Sequence, residues 1–280
     1  MSLFSLTAVD LARKIKKGEI TSEEVVKSYI EQINKNEKKI EAWEFFDKEL
    51  VLSQAKKLDE DHQSGRVHGD LHGVPVGIKD IFDTADMPTS DGTEIHKKNP
   101  SWNDCSVILK LKQAGAIIMG KTVTTELAYY APGKTKNPHD LTRTPGGSSS
   151  GSAAAVASKM VPLALGSQTN GSIIRPASYC GVVGYKPSKG LISRHLVLQI
   201  SQTLDQVGVF SNSIEDAALI SEQIIGYDKL DQDMTLRAKP KLLEAAKQTP
   251  PIDPLFAFIK LPFMDKLDQD ASEAFGAVRE

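Results

Sequence analysis

Only two cysteines occur in the 280 residues, Cys105 and Cys180, far apart in the chain, so neither a disulfide scaffold nor a cysteine metal site is indicated. No charge of one sign dominates. The 34 Lys+Arg and 36 Asp+Glu leave a formal net charge of −2, which gives no electrostatic case for a nucleic-acid or anionic-membrane partner. No apolar run approaches the roughly 18 residues a spanning helix needs. The opening MSLFSLTAVDLARKIKKGE lacks the charged stretch and continuous apolar block of a secretion signal, so a cytoplasmic chain is expected. Internal repeats are missing too. None of the six histidines has metal or triad spacing, and His72 and His139 read as loop residues; no metal and no cofactor are expected. What is present is an ordinary globular composition, 40% hydrophobic and 25% charged, long enough for one large domain or two modest ones.

Residues 1–70 read as a helical arm. Val9, Leu11, Ala12 and Ile15 recur at helical intervals before Gly18, a C-cap residue. Thr21 and Glu24 have capping-box spacing ahead of Val25, Val26, Tyr29, Ile30 and Ile33. Residues 56–72 are polar, a solvated helix end and linker. The character changes at Gly73. A β-type run covers 73–82, a helix 104–114 with Asp104 as N-cap, an apolar strand 116–119, a small-residue helix 152–160 and a strand 161–167. This alternation predicts an α/β fold with a parallel or mixed sheet. After about residue 230 the signal weakens; 255–261 (LFAFIKL) reads as a further strand and the last residues as an amphipathic helix. The expected organisation is a single domain over 1–280, with a catalytic core at 71–220 and a weakly defined part at 221–280.

Three motif matches fail on context. Gly115 to Thr122 fits the phosphate-loop pattern G-x-x-x-x-G-K-T, but a helix precedes it and its middle is apolar, the reverse of what a phosphate cradle requires. Gly147 to Gly151 fits the nucleophile elbow G-x-S-x-G, yet a polar, proline-containing stretch stands where a strand should. Ser53 and Lys56 have S-x-x-K spacing on a charged helix without companion motifs, which reads as a solvated face.

Three other segments pair small residues with a nucleophile or base: 77–80 (GIKD), 145–152 (PGGSSSGS) and 166–177 (GSQTNGSIIRPA). Lys79 is flanked by apolar residues in an expected strand, and alternation puts Ile78 and Asp80 on the opposite face. A lysine directed into a dry interior loses its preference for charge. Moving its pKa from about 10.4 to about 7–8 takes roughly 4 kcal/mol, within reach of burial. The serine cluster leads straight into AAAVA, unlike a flexible linker, and Gly-rich turns let N–H groups converge as an oxyanion site requires.

The stretches GVPVGIKD, AGAIIMGKT, TRTPGGSSSGSAAAVA, GSQTNGSIIRPASYCGVVGYKPS and TLDQVGVF, in that order over about residues 70–215, resemble the amidase signature family. The resemblance implies that family's fold, a mixed β-sheet covered by helices on both faces, here apparently shortened at the C-terminus. It also implies a Ser–cis-Ser–Lys triad that hydrolyses carboxylic amides. Ser172 would be the nucleophile, Ser148 the bridging serine after a cis peptide, and Lys79 the base. Backbone N–H groups of Thr169, Asn170, Gly171 and Ser172 would hold the oxyanion, and water would release the acyl-enzyme.

Three departures from the family pattern stand out. Asn170 replaces the first glycine of Gly-Gly-Ser, Gln168 stands where many relatives have Asp, and Arg175 lies three residues after Ser172 instead of two. Arg175 could grip a substrate carboxylate or pair with a structural one. The expected function is conversion of small carboxylic amides to acid and ammonia, with a small-molecule substrate and a homodimer as the candidate assembly. The alternatives are an A-type amidotransferase subunit for transamidation of charged tRNA, needing partner subunits, and a truncated inactive remnant. The loop TELAYYAPGKTKNPHD is closer to the stand-alone branch.

Overall fold

The computed structural model describes residues 2–97 and 101–279. Residues up to Lys247 form one unit and those from Gln248 onward a second, so the weakly defined part expected from 221 divides at 247.

In the first unit, α1 (Ala8–Lys16) begins on Thr7, whose hydroxyl accepts the Asp10 N–H, and Gly18 follows it in the left-handed region. The capping box of Thr21 and Glu24 forms at the head of α2 (Ser22–Ile40). Then come β1 (Trp43–Phe45), α3 (Lys48–Gln63), β2 (Pro75–Lys79), α4 (Ser106–Gln113), β3 (Ile117–Thr122), α5 (Ser150–Ala157), β4 (Leu163–Gln168), α6 (Ile174–Cys180), β5 (Val183–Tyr185), β6 (Gln206–Ser211), α7 (Ile214–Ile224) and α8 (Leu242–Ala246). The second unit carries α9 (Gln269–Arg279).

The six strands make one mixed sheet in the order β1-β3-β2-β4-β6-β5. β2 runs parallel to β3 and β4, and the other pairings are antiparallel. Strand alternation divides the core between two faces. Val76, Ile78, Ile118, Leu163, Leu165, Val207 and Val209 pack with α4 and α7. Ile117, Met119, Ala164 and Phe210 pack with α2, α3 and the alanines of α5. This is the expected α/β sheet covered by helices on both faces. Gly151 is required where α5 meets β3, because a Cβ there would overlap the Ala42 carbonyl and the Val123 amide.

Two expectations are corrected. Asp104 is not the N-cap of α4; Cys105 is, without a side-chain cap, while the Asp104 carboxylate accepts the Ala85 N–H at 2.9 Å and pairs with Lys112 at 2.8 Å. Residues 255–261 form no strand, since the second unit offers no partner strand among its described residues, and Leu255 and Phe256 are exposed. Conversely, no period-2 signal marks β6 within TLDQVGVF, because all six of its residues are buried. No helix among the described residues is long and apolar enough to cross a membrane.

Candidate active site

β2 turns Val76 and Ile78 to one face and leaves Lys79 on the other, at the carboxyl end of the parallel strands. Lys79 is fully buried. Its Nζ donates to Ser148 Oγ at 2.7 Å and to Ser167 Oγ at 2.9 Å, and no carboxylate lies within ion-pair distance among the described residues. Burial pushes its pKa down to about 7, against the weaker opposing charge of Asp205.

A second lysine is equally buried on the neighbouring strand. Lys121, the lysine of the phosphate-loop match, lies within β3, so the backbone there is committed to the sheet and cannot cradle a phosphate. Its Nζ donates to the Phe82 carbonyl at 2.8 Å and to Thr89 Oγ1 at 2.7 Å, and it stands 3.4 Å from Asp80. Burial pushes Lys121 down and Asp80 up, with each charge opposing the other's shift. Asp80 therefore has its own partner, and Lys79 is left among hydroxyls.

Ser148 follows a cis Gly147–Ser148 peptide bond and precedes α5. The Ser148 carbonyl accepts the Thr125 N–H at 3.1 Å, and the Gly147 carbonyl accepts Arg175 Nε at 3.1 Å. The guanidinium stands where a side chain on residue 171 would have to pass, within 3.2 Å of the position of a Cβ there. No carboxylate pairs with Arg175 among the described residues, so the expected structural partner is a backbone carbonyl instead of an acid.

The chain leaves β4 at Gln168 and turns through Ser172 into α6. Gln168 makes that turn: its side-chain carbonyl accepts the N–H groups of Ile173 at 2.9 Å and Ile174 at 3.0 Å. Thr169 Oγ1 donates to Asp205 Oδ1 at 2.6 Å, and Asp205 Oδ2 accepts the N–H groups of Ile200 and Ser201. Among the described residues, the backbone N–H groups of Asn170, Gly171 and Ser172 donate to no protein acceptor. Donors without a protein acceptor are available to an oxyanion. Ser172 is 6% exposed. The structure joins Lys79 to Ser148 directly, but no hydrogen bond joins Ser148 to Ser172 among the described residues.

Beside these groups lies a cavity of about 400 Å³ with Ser167, Thr169, His195, Ile200 and Asp205 in its wall. Neither Ser167 nor Asp205 announces a role by its place in the sequence. A serine one residue before Gln168 gives no spacing signal, and its bond to Lys79 depends on the β2–β4 pairing. His72 and His139 bond backbone carbonyls, of Leu58 and Cys180. Ser53 and Lys56 are exposed, as a solvated helix face should be. No group of three or more His, Cys, Asp or Glu side chains is arranged to hold a metal among the described residues.

The fold is thus a helix-flanked mixed sheet, with a buried lysine, two serines and a turn whose N–H groups have no protein acceptor among the described residues gathered at one end of its parallel strands. The family model for Amidase matches residues 24–280, and the chain belongs to that family. The glutamyl-tRNA(Gln) amidotransferase A subunit of Clostridium novyi is 43% identical over 254 residues, covering 89% of this chain and 52% of the relative. Its counterpart in Natranaerobius thermophilus is 40% identical over 276 residues, covering 96% and 56%. Among solved structures, the peptide amidase from Stenotrophomonas maltophilia aligns with a TM-score of 0.80 at 31% identity, over 86% of this chain and 52% of that one. The glutamyl-tRNA(Gln) amidotransferase A subunit of Thermotoga maritima gives 0.72 at 34% identity, over 85% and 50%. The chain thus spans about half the length of the relatives it matches. The two curated relatives carry the amidotransferase name, which does not favour the stand-alone leaning drawn from TELAYYAPGKTKNPHD.

Proposed function

We propose that this chain carries the ammonia-releasing chemistry of an A-type amidotransferase subunit, hydrolysing a small carboxylic amide through an acyl-enzyme on Ser172. The observation that carries the reading is Lys79, wholly buried, bonded to Ser148 and far more easily neutral than an ordinary lysine. The neutral amine accepts the Ser148 proton as Ser148 takes the proton of Ser172, and Ser172 Oγ attacks the amide carbonyl. The Ser148–Ser172 contact is the one this sequence of transfers has to tighten when substrate binds. N–H groups at 170–172 receive the oxyanion. Reversal of the relay protonates the departing ammonia, and water releases the acid. The identity to the Clostridium novyi and Natranaerobius thermophilus proteins supports delivery of that ammonia to misacylated tRNA with partner subunits.

A stand-alone amidase is the second reading, favoured by the higher structural similarity to the Stenotrophomonas maltophilia peptide amidase. Intact-mass detection of a fluorophosphonate adduct, absent in Ser172→Ala, tests the nucleophile. Ammonia released from glutamine only in the presence of partner subunits supports the first reading, and release from simple amides by the chain alone supports the second. An unlabelled Ser172 overturns both and leaves an inactive remnant.

A further inference from the structure

Two hollows lie side by side, and the first reaches the start of the nucleophile turn at Thr169. The first is the 400 Å³ cavity that Ser167 and Thr169 help to line. The second, of about 430 Å³, has Leu127, Tyr129, Ala131, Leu198 and Ile200 in its wall and is chiefly apolar. They share the segment 198–200. Asn170 follows Thr169, which lines the first, and Tyr130 stands between Tyr129 and Ala131, which line the second. Asn170 Nδ2 donates to the Tyr130 hydroxyl at 3.1 Å, so a single side-chain bond ties together the two segments whose neighbouring residues line the hollows.

The tyrosine end of that bond is fixed by its own segment. Thr125 Oγ1 donates to the Tyr129 carbonyl at 2.7 Å, and the Leu127 N–H donates to the Asp91 carbonyl at 2.8 Å. Leu127 and Ala128 are both held at positive φ, 49° and 54°, a conformation such residues keep only where surrounding bonds impose it. The Tyr129 ring packs edge-on against Tyr130, with centroids 4.8 Å apart. The same segment reaches Ser148 through the bond from the Thr125 N–H. The asparagine end sits two residues before Ser172.

We propose that the Asn170–Tyr130 bond bars the approach to Ser172, making Asn170 a specificity-determining residue that limits the substrate to small polar amides. With the bar in place the acyl part lies in the hollow walled by Ser167, Thr169 and Asp205. Aromatic or long-chain acyl groups, which the apolar hollow suits, are turned away. This rests on the reading of Ser172 as nucleophile.

The test compares rates of Ser172 labelling by two fluorophosphonates, one bearing short alkyl groups and one bearing a phenylalkyl arm, read by intact mass. Asn170→Gly removes the bar, and Tyr130→Phe removes its acceptor while keeping the ring. Each is expected to raise the ratio of bulky-probe to small-probe rate by about fivefold, as loss of one exposed neutral hydrogen bond allows. Taking the ratio cancels any change Asn170→Gly makes to the turn itself, which slows both probes alike. A ratio unchanged in both variants overturns the inference, as does a wild-type chain that takes both probes equally fast. Failure of the small probe to label wild-type Ser172 refutes the nucleophile assignment and the inference with it, whereas labelling by the small probe alone, with the bulky probe admitted in the variants, supports the bar.

Discussion

Raising the pH through neutrality should switch on Ser172 if Lys79 is its base. Lys79 has hydroxyls around its amine and no exposed surface, which brings its pKa from 10.5 to about 7. That difference corresponds to about 5 kcal/mol of preference for the neutral amine over an exposed lysine. Near pH 7 half the molecules hold a competent base, so the neutral fraction rises about tenfold from pH 6 to pH 8 and then levels. An ordinary lysine would give about a hundredfold rise over the same interval, still climbing at pH 9. Fluorophosphonate labelling of Ser172 across pH 5–10 separates the two. A rate that is flat, or that follows hydroxide throughout, refutes the reasoning. The same shift makes a stability prediction whose sign is fixed. Between pH 7 and 10.5 the unfolded chain binds this proton and the native chain does not, so the Lys79 contribution to stability rises with pH across that window and is unfavourable below it. Lys79→Met should abolish labelling, keep the fold, and lose that component of the pH dependence in urea unfolding.

Three further outcomes follow from the neighbours of the site. Asp205→Asn removes the charge that opposes the lowering of Lys79, so the acid limb of the labelling profile should move below about 7; a limb that stays put or moves up would contradict the electrostatic role. Lys121→Ala strands the buried Asp80 carboxylate and should cost about 3–5 kcal/mol in urea unfolding, with much of it recovered in an Asp80→Asn/Lys121→Met double variant. Gln168→Ala frees the N–H groups of Ile173 and Ile174, so stability should fall by about 1–3 kcal/mol and Ser172 labelling should slow, while Gln168→Glu, which keeps an acceptor, stays near wild type.

The α/β alternation from Gly73 onward is legible because each helix and strand has its own period, and the capping box at Thr21 and Glu24 forms as read. β1 and β5, three residues each, are too short for any period to register, and β6 is buried on both faces. Lys79, Ser148 and Ser172 could be named as candidates because they stand in ordered motifs, and of these the structure joins Lys79 to Ser148. The protein partner of Arg175 could not be read, since it is the Gly147 carbonyl, and a backbone acceptor leaves no mark on residue spacing. Asn170 could be singled out as a departure, but its tyrosine partner forty residues away could not.

The hardest distinction for sequence was between two lysines in similar apolar strands. Lys79 and Lys121 lie on paired strands, one register position apart, and both are excluded from water. What separates them is which groups the fold sets against each amine. Lys121 meets a carboxylate and carbonyl oxygens, which hold its ammonium; Lys79 meets two hydroxyls, which do so less well. Removing the Asp80 charge would weaken the hold on the Lys121 ammonium without creating a second base of the same use. Its hydroxyl neighbours, Thr84 and Thr89, belong to the loop at 84–89. Ser167 instead borders the turn that carries Ser172, and the peptide before Ser148 is tied to that turn's flank by Arg175. Basicity at Lys79 is therefore set by burial, whereas its use in the proposed relay depends on where the accepting hydroxyl leads.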